Sequence, residues 1–440
     1  MSTDTTNTGA PRARYRAMHA RHLDQVLADR AGFDEAERRR SAAVAAVFPF
    51  RTNQYVVDEL IDWSAVPEDP MYRLVFPQPG MLSPADLERM EQLIAEGADD
   101  TRVRMAANEI RWRLNPHPSG QTDENAPALD GVTLPGLQHK YAETMLVFPK
   151  QGQTCHAYCA YCFRWPQFIG EPELKIATDD VAAMTAYLAA HPEITSVLIT
   201  GGDALIMNTA VLRRYIEPLL SIDSVESVRL GTKALSYWPY RVLSDPDSDD
   251  LLRLFAQVVT AGKQLALMAH YSHPVELSTD ASRQAVARVN STGAVIRAQA
   301  PLIRGVNDNA MAWAQMWRDL TRLSVVPYYM FVERDTGPQG YFAVPLARCW
   351  EIFRDAYAEV SGLARTVRGP VMSAHPGKVC VDGVTEIAGE KVFALRMLQA
   401  RNPDLVGRPF FANYDPDAIW LTDLKPALGQ ATLLPGMEVS

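Results

Sequence analysis

At 440 residues, 47% hydrophobic and 22% charged, the chain has the make-up of an ordinary soluble globular protein, with room for one large catalytic domain and flanking pieces or for two to three smaller domains. A net charge of −9 argues against nucleic acid as a main partner, because phosphate binding needs a basic surface. No apolar run approaches membrane-spanning length, and the polar stretch Met1–Pro11 lacks the apolar core of a signal peptide. Five cysteines, three of them clustered, are no disulfide framework, so a cytoplasmic location with reduced thiols is expected.

Residues 1–12 read as disordered. Two helices are expected between Tyr15 and Val47, broken near Gly32. A third starts at Ser83-Pro84-Ala85-Asp86, where a cap residue precedes proline and an acid in the first turn, and runs to about Glu96. A fourth runs from about Arg102 to just before Asn115-Pro116. Residues 115–135 hold four prolines and read as a linker or surface wrap. From Thr144 the texture changes. Apolar runs at Met145–Phe148, Val197–Thr200, Ser227–Leu230, Leu265–Ala269, Val295–Ala300 and Val325–Phe331 alternate with helical patterns near 179–190, 210–220, 249–261, 280–291 and 310–323. Strands buried on both faces and separated by helices imply βαβ units and a parallel sheet. Six units make an open or incomplete barrel, with ligand sites at the C-terminal strand ends. The expected organisation is a helical region and linker over 13–135, an α/β core over 136–345 and a C-terminal region over 346–440.

After the first strand stands Cys155-His156-Ala157-Tyr158-Cys159-Ala160-Tyr161-Cys162, with thiols four and three residues apart. Three thiolates can hold three irons of a cubane [4Fe–4S] cluster and leave the fourth iron open. A zinc site with His156 or His139 as fourth ligand is the alternative. After the second strand comes Thr200-Gly201-Gly202-Asp203-Ala204: paired glycines permit close backbone approach, and an acid beside them can accept from an ammonium or a ribose hydroxyl. Later strand ends carry Gly231-Thr232-Lys233, the segment His270–Glu276, and Gln299.

The CxxxCxxC spacing, with the aromatic Tyr161 before the third cysteine, resembles the radical S-adenosylmethionine (SAM) superfamily. Together with Leu137–Tyr141, Cys155–Arg164, Ile199–Leu205, Arg229–Lys233, His270–Glu276, Gly293–Asn309, Pro327-Tyr328-Tyr329 and Gly377-Lys378, it resembles the lysine 2,3-aminomutase family, the pyridoxal 5′-phosphate (PLP)-dependent branch. The resemblance runs from about Phe48 to Lys378. It implies a fold of radical SAM type, an incomplete (β/α)6 parallel barrel with N-terminal helical and C-terminal extensions. In that family the reduced cluster cleaves SAM to a 5′-deoxyadenosyl radical, which abstracts a substrate β-hydrogen, and the imine-linked amino group migrates from C2 to C3 through PLP. The resemblance makes Cys155, Cys159 and Cys162 the iron ligands. It assigns Tyr161, Gly201, Gly202, Asp203, Lys233, His270 and Gln299 to the cofactor site, with Asp203 in the segment that holds the SAM amino group. Lys378 matches the PLP lysine, Lys140 and Tyr141 the PLP phosphate site, Arg164 the arginine that holds the substrate carboxylate, and Asp308 one of two aspartates on the far ammonium of lysine. An electron donor such as flavodoxin or ferredoxin and a homo-oligomeric state are further implications.

Three departures stand out. The segment Gly369–Ala374 lacks the second side-chain-binding acid, which points away from lysine as the substrate. The second basic phosphate position is Thr144. Arg365 and Arg368 lie near the missing acid and could receive an anionic side chain, or form a solvated face, which is the reading taken. Two other readings stay open: a PLP-independent radical SAM enzyme performing epimerisation, elimination or oxidation, and a zinc- or cluster-bearing structural or electron-transfer protein.

Overall fold

The computed structural model describes residues 13–116, 124–170 and 174–437. The expected disordered stretch 1–12 and Pro118 of the linker lie outside them. Two small hairpin-like pairs come first, β1 (Ala17–His19) with β2 (Arg51–Asn53) and β3 (Ala128–Leu129) with β4 (Val132–Thr133). The main sheet has 11 strands in chain order: β5 (Leu137–Tyr141), β6 (Thr144–Val147), β7 (Ser196–Ile199), β8 (Ser227–Thr232), β9 (Gln264–His270), β10 (Val295–Leu302), β11 (Val326–Val332), β12 (Arg368–Ser373), β13 (Gly377–Ile387), β14 (Glu390–Ala400) and β15 (Pro409–Asn413). Every pairing from β6 to β12 is parallel, while β5 and β13 to β15 pair antiparallel. The six expected strands are β6 to β11, and β12 joins them as one more parallel strand.

The expected helices form at Glu35–Val47, Pro84–Ala95, Asp100–Arg113, Val181–Ala190, Thr209–Leu220, Ser248–Thr260, Asp280–Asn290 and Ala310–Arg322. Local chemistry sets their ends. Gly32 ends the preceding helical turn in the left-handed region at φ 66°, where a side chain would be strained. Asp34 then accepts from Glu37 N at 2.9 Å, and Ser83 accepts from Asp86 N at 3.1 Å.

The expectation of strands buried on both faces holds for β9, where Leu265–Ala269 are all buried, and fails for β7, β8 and β10. In β7, β8 and β10 the residues Val197, Ile199, Val228, Leu230, Ile296, Ala298 and Ala300 are buried against Leu212, Leu254 and Trp317 of the helices. Residues of the opposite parity, Ser196, Leu198, Ser227, Arg229, Gly231, Arg297 and Gln299, are half-exposed. One face therefore supplies the core, where each buried Leu or Ile contributes roughly 1.5–3 kcal/mol. The other faces a polar lumen, because the sheet curls on itself. Its β5 edge meets the β12–β14 region through side chains: Lys140 Nζ donates to the Ala374 carbonyl at 2.6 Å, Gln399 Nε2 donates to Glu143 at 2.6 Å, and His375 and Arg401 lie 3.2 and 3.6 Å from Glu124.

The N-terminal helices build a second core that also takes in Ala157, Tyr161, Trp165, Tyr237 and Trp238. The C-terminal region, read as a cover, continues the sheet as β12 to β15 over a third core. Among the described residues no helix is long and apolar enough to cross a membrane.

Candidate active site

The cysteine loop leaves the C-terminal end of β6 and is held by the N-terminal region. Tyr158 N donates to Arg51 O and Ala160 N to Leu74 O, both at 2.8 Å. The His156 carbonyl accepts from Tyr15 Oη at 2.7 Å and Asn53 Nδ2 at 3.1 Å, and Arg51 donates to Thr154 Oγ1 at 3.3 Å. Tyr15, Arg51 and Asn53 were not singled out in the sequence, since each is one polar residue more than 100 positions from its partner. The three thiols are free and half-exposed. Burial pushes each of them up, Cys162 to about 12, so iron binding must be coupled to loss of their protons. Among the described residues no three His, Cys, Asp or Glu side chains converge on a single metal ion. His139, offered as a fourth zinc ligand, has both ring nitrogens engaged, with Tyr187 Oη at 2.8 Å and the Ala142 carbonyl at 3.1 Å. His156 stays neutral, burial pulling it down to about 3, and its Nδ1 lies 4.0 Å from Asp203, too far for a hydrogen bond.

Gly201, Gly202 and Asp203 sit at the end of β7, and their approach is to this loop. A Cβ at Gly202 would lie 2.2 Å from the Thr154 carbonyl oxygen, and one at Gly201, where φ is 142°, would meet the Gln153 amide at 2.3 Å. The buried Asp203 carboxylate accepts from Leu205 N at 2.8 Å, Thr232 Oγ1 at 2.7 Å and Lys233 N at 2.8 Å. The sequence suggested a ligand ammonium or hydroxyl as its partner; the chain's own groups fill three of its acceptor positions. Gly202→Ala should push the cysteine loop off its seat. Iron content after anaerobic reconstitution should fall severalfold with the helical circular dichroism retained; full iron loading of the variant would show that the loop tolerates the shift.

Lys233 was also expected among the cofactor residues, yet its ammonium turns into the protein. It pairs with the fully buried Glu276, donates to the His270 carbonyl at 3.2 Å and Ser272 Oγ at 3.4 Å, and sits 4.6 Å from the Tyr237 ring centroid. Glu276 further accepts from Ser236 Oγ and from the backbone N–H groups of Ser272 and His273. Tyr161 Oη lies 3.2 Å from Ser272 Oγ, which ties the cysteine loop to the same knot. His270 and Gln299 are cross-strand partners on the lumen face, His270 Nε2 accepting from Gln299 Nε2 at 3.0 Å. Burial pulls His270 down to about 3, which fixes it as a neutral acceptor.

Arg164 packs its guanidinium against Phe148 and Phe163, with ring centroids at 4.6 and 5.1 Å. It has no ion pair among the described residues, and burial lowers it to about 10. A guanidinium held dry between aromatic rings with no anion is poised for one. Arg334, just past β11, sits close enough to lower both Arg164 and Lys140. Its neighbour Glu333, which the sequence did not single out, is buried near Tyr161 and Cys162, its Oε1 without a hydrogen-bond partner among the described residues and its carboxyl pushed well up by burial. Asp308 lies in the loop after β10, half-exposed. The segment Gly369–Ala374, largely on β12, carries no acid, and Val371 within it is buried.

Lys378 starts β13, with Tyr141 and Tyr329 ring centroids each 5.3 Å from its Nζ, which donates to Gln399 Oε1. Burial, then Arg229 and Arg368, lower its amine to about 7. Lys140, expected at the phosphate site, donates to the Ala374 carbonyl at 2.6 Å, and burial lowers its amine to about 7. Arg368 is not on a solvated face: its guanidinium lies 4.1 Å from the Tyr329 centroid and 4.4 Å from that of Tyr328. Arg365 does lie outside, donating to the Val360 carbonyl at 2.8 Å.

No family model matches the chain. A protein of Aquifex aeolicus (strain VF5) named "Putative L-lysine 2,3-aminomutase" is 35% identical over 390 residues, covering 88% of this chain and 91% of the relative. The L-lysine 2,3-aminomutase of Escherichia coli (strain K12) is 30% identical over 57% of this chain and 69% of its own length, and that of Bacillus subtilis (strain 168) 28% identical over 55% and 47%. A radical SAM methyltransferase from Sphaerobacter thermophilus aligns at 17% identity over 66% of this chain and 94% of its own, but its TM-score of 0.36 is too low to carry an argument. The identity across nearly all of the Aquifex relative, added to the cysteine loop and the ordered strand ends, places the chain in the lysine 2,3-aminomutase family of radical SAM enzymes.

Proposed function

We propose that the chain is a radical SAM amino acid 2,3-aminomutase that uses PLP and acts on an amino acid other than lysine. The observation that carries this reading is Lys378: a lysine with a lowered amine and no carboxylate ion pair among the described residues, set among arginines inside the same curled sheet whose rim bears the cysteine loop. An aldehyde cofactor needs such an amine. Bound together, the cluster and SAM supply a hydrogen-abstracting 5′-deoxyadenosyl radical, and PLP supplies the carrier on which the amino group moves.

The chain's own residues supply position and charge. Cys155, Cys159 and Cys162 would hold three irons. The ordered rim of Tyr161, Gly201, Gly202, Asp203, Lys233, His270 and Gln299 would shape the SAM site, with Asp203 and Lys233 acting through the loops they fix and His270 and Gln299 offering the lumen-facing polar atoms. Arg164 would take the substrate carboxylate with its planar fork, and the hydrophobic rings beside it keep water from competing. Asp308 would take a distal cation, and the lack of an acid in Gly369–Ala374 disfavours lysine itself. On this reading the core is an incomplete (β/α)6 barrel extended by β12, and its substrate is a small molecule.

The test is an anaerobic incubation of reconstituted enzyme with SAM, dithionite and each of a panel of amino acids. A β-amino isomer from some amino acid, formed faster than from lysine and accompanied by 5′-deoxyadenosine, is expected. Formation of 5′-deoxyadenosine with no β-isomer from any of them would favour the PLP-independent reading, which the engagement of Lys140 with Ala374 and the threonine at position 144 support.

A further inference from the structure

Lys140 is the residue that family resemblance assigns to the cofactor phosphate; it donates to the Ala374 carbonyl, and burial, then Arg401 and Arg334, lower its amine to about 7, which weakens it as a cation. Thr144, at the second such position, has no charge. A phosphate monoester still needs cations. A different set of them lines the lumen beside Lys378.

Arg229 on β8 reaches across to Thr144, its Nη2 3.5 Å from Thr144 Oγ1, while its Nε is buried without a hydrogen-bond partner. Arg297 on β10 and Arg368 on β12 flank one ring, that of Tyr328, at 5.2 and 4.4 Å from its centroid. Arg229 and Arg368 are both close enough to Lys378 to lower its amine. None of the three arginines has an ion pair among the described residues. Glu143, which accepts from the Gln399 amide at 2.6 Å, opposes part of this charge at Arg229 and Lys378. The repulsion of Arg229 and Arg368 on the amine still outweighs it, and such a cluster persists at low cost only if an anion comes to it.

We propose that Arg229, Arg297 and Arg368 form the site for the cofactor's phosphate, a dianionic monoester, and that this arginine cluster replaces the Lys140 and Thr144 pair. The proposal rests on the reading that PLP is held at Lys378. The geometry suits it: in PLP the phosphate is one short arm from the carbonyl carbon that a lysine would meet, and Arg229 and Arg368 are both near enough to act on the Lys378 amine. A distal carboxylate of the substrate is the competing anion for the same cluster, and pyridoxal separates the two because it has the aldehyde without the phosphate.

The experiment is a spectral titration of the reconstituted protein, without SAM or substrate, with PLP and with pyridoxal. It compares wild type, Arg297→Gln, Arg368→Gln, Lys140→Gln and the exterior control Arg365→Gln, with circular dichroism to confirm folding. A charge-assisted hydrogen bond to phosphate predicts about a ten- to hundredfold loss of PLP affinity in each of the first two arginine variants, with pyridoxal affinity moving little. Lys140→Gln and Arg365→Gln should leave PLP affinity near wild type. Inorganic phosphate should compete with PLP in wild type and lose that power in Arg368→Gln. Equal affinity for PLP in folded wild type, Arg297→Gln and Arg368→Gln would overturn the proposal, as would a large loss in Lys140→Gln alone. If wild type shows no borohydride-sensitive band with either aldehyde, PLP binding at Lys378 itself fails, and the proposal falls with it.

Discussion

Glu276→Ala should lower stability by about 3–5 kcal/mol, because it strands the Lys233 ammonium in the interior. Glu276 is fully buried and Lys233 only 10% exposed. Removing the carboxylate also frees Ser236 Oγ and the Ser272 and His273 N–H groups, each left to find another partner. The damage should spread beyond the pair. Ser272 is the anchor for Tyr161 in the cysteine loop, so iron retention should fall with stability. A chemical-denaturation curve of the apo protein measures the loss, and the double variant Lys233→Met with Glu276→Leu should recover much of it, since a buried pair replaced by apolar groups of similar size is often no less stable. A Glu276→Ala protein within about 1 kcal/mol of wild type would mean that the pair is solvated and not a structural knot.

The knot shows what could and could not be read from the chain alone. The βα succession was legible because helix caps and apolar runs are local: Ser83 with Asp86, Gly32, and the run Val197–Thr200 announce themselves within a few residues. The lumen was not. In Leu265–Ala269 both strand faces are apolar, and that texture masked the alternation in Ser227–Thr232 and Val295–Ala300, where Arg229, Arg297 and Gln299 mark the inner face. The Arg368 side chain looked solvated because nothing nearby in sequence hints that Tyr328, 40 positions earlier by residue number, will lie under it. Lys140 matched a family position, yet only the closed seam shows its amine donating to the Ala374 carbonyl. Motif position nominated candidate residues; the curl of the sheet decides which of their atoms face the lumen.

Lys378→Ala should abolish PLP capture and amino-group transfer outright, and Lys378→Arg should not restore them, because a guanidinium does not lose its proton to become a nucleophile. The pH dependence gives the sharper test. Burial first, then Arg229 and Arg368, lower the amine from 10.5 to about 7, with Glu143 opposing. A large share of Lys378 is therefore neutral at physiological pH, where an ordinary lysine would be neutral in well under one molecule in a hundred. PLP capture should rise between about pH 6 and 8 and then level off, and Arg229→Gln, by removing a repelling charge, should move that rise to higher pH. The sign for stability follows from the same shift. Between about 7 and 10.5 the unfolded lysine holds a proton that the folded one has lost, so the Lys378 contribution to stability improves as pH rises through that window. Lys378→Met should flatten this slope in apo protein, a readout that needs no cofactor. A capture rate still climbing steeply at pH 9 in wild type would show an ordinary amine, and the case for Lys378 as the cofactor lysine would lose its electrostatic basis.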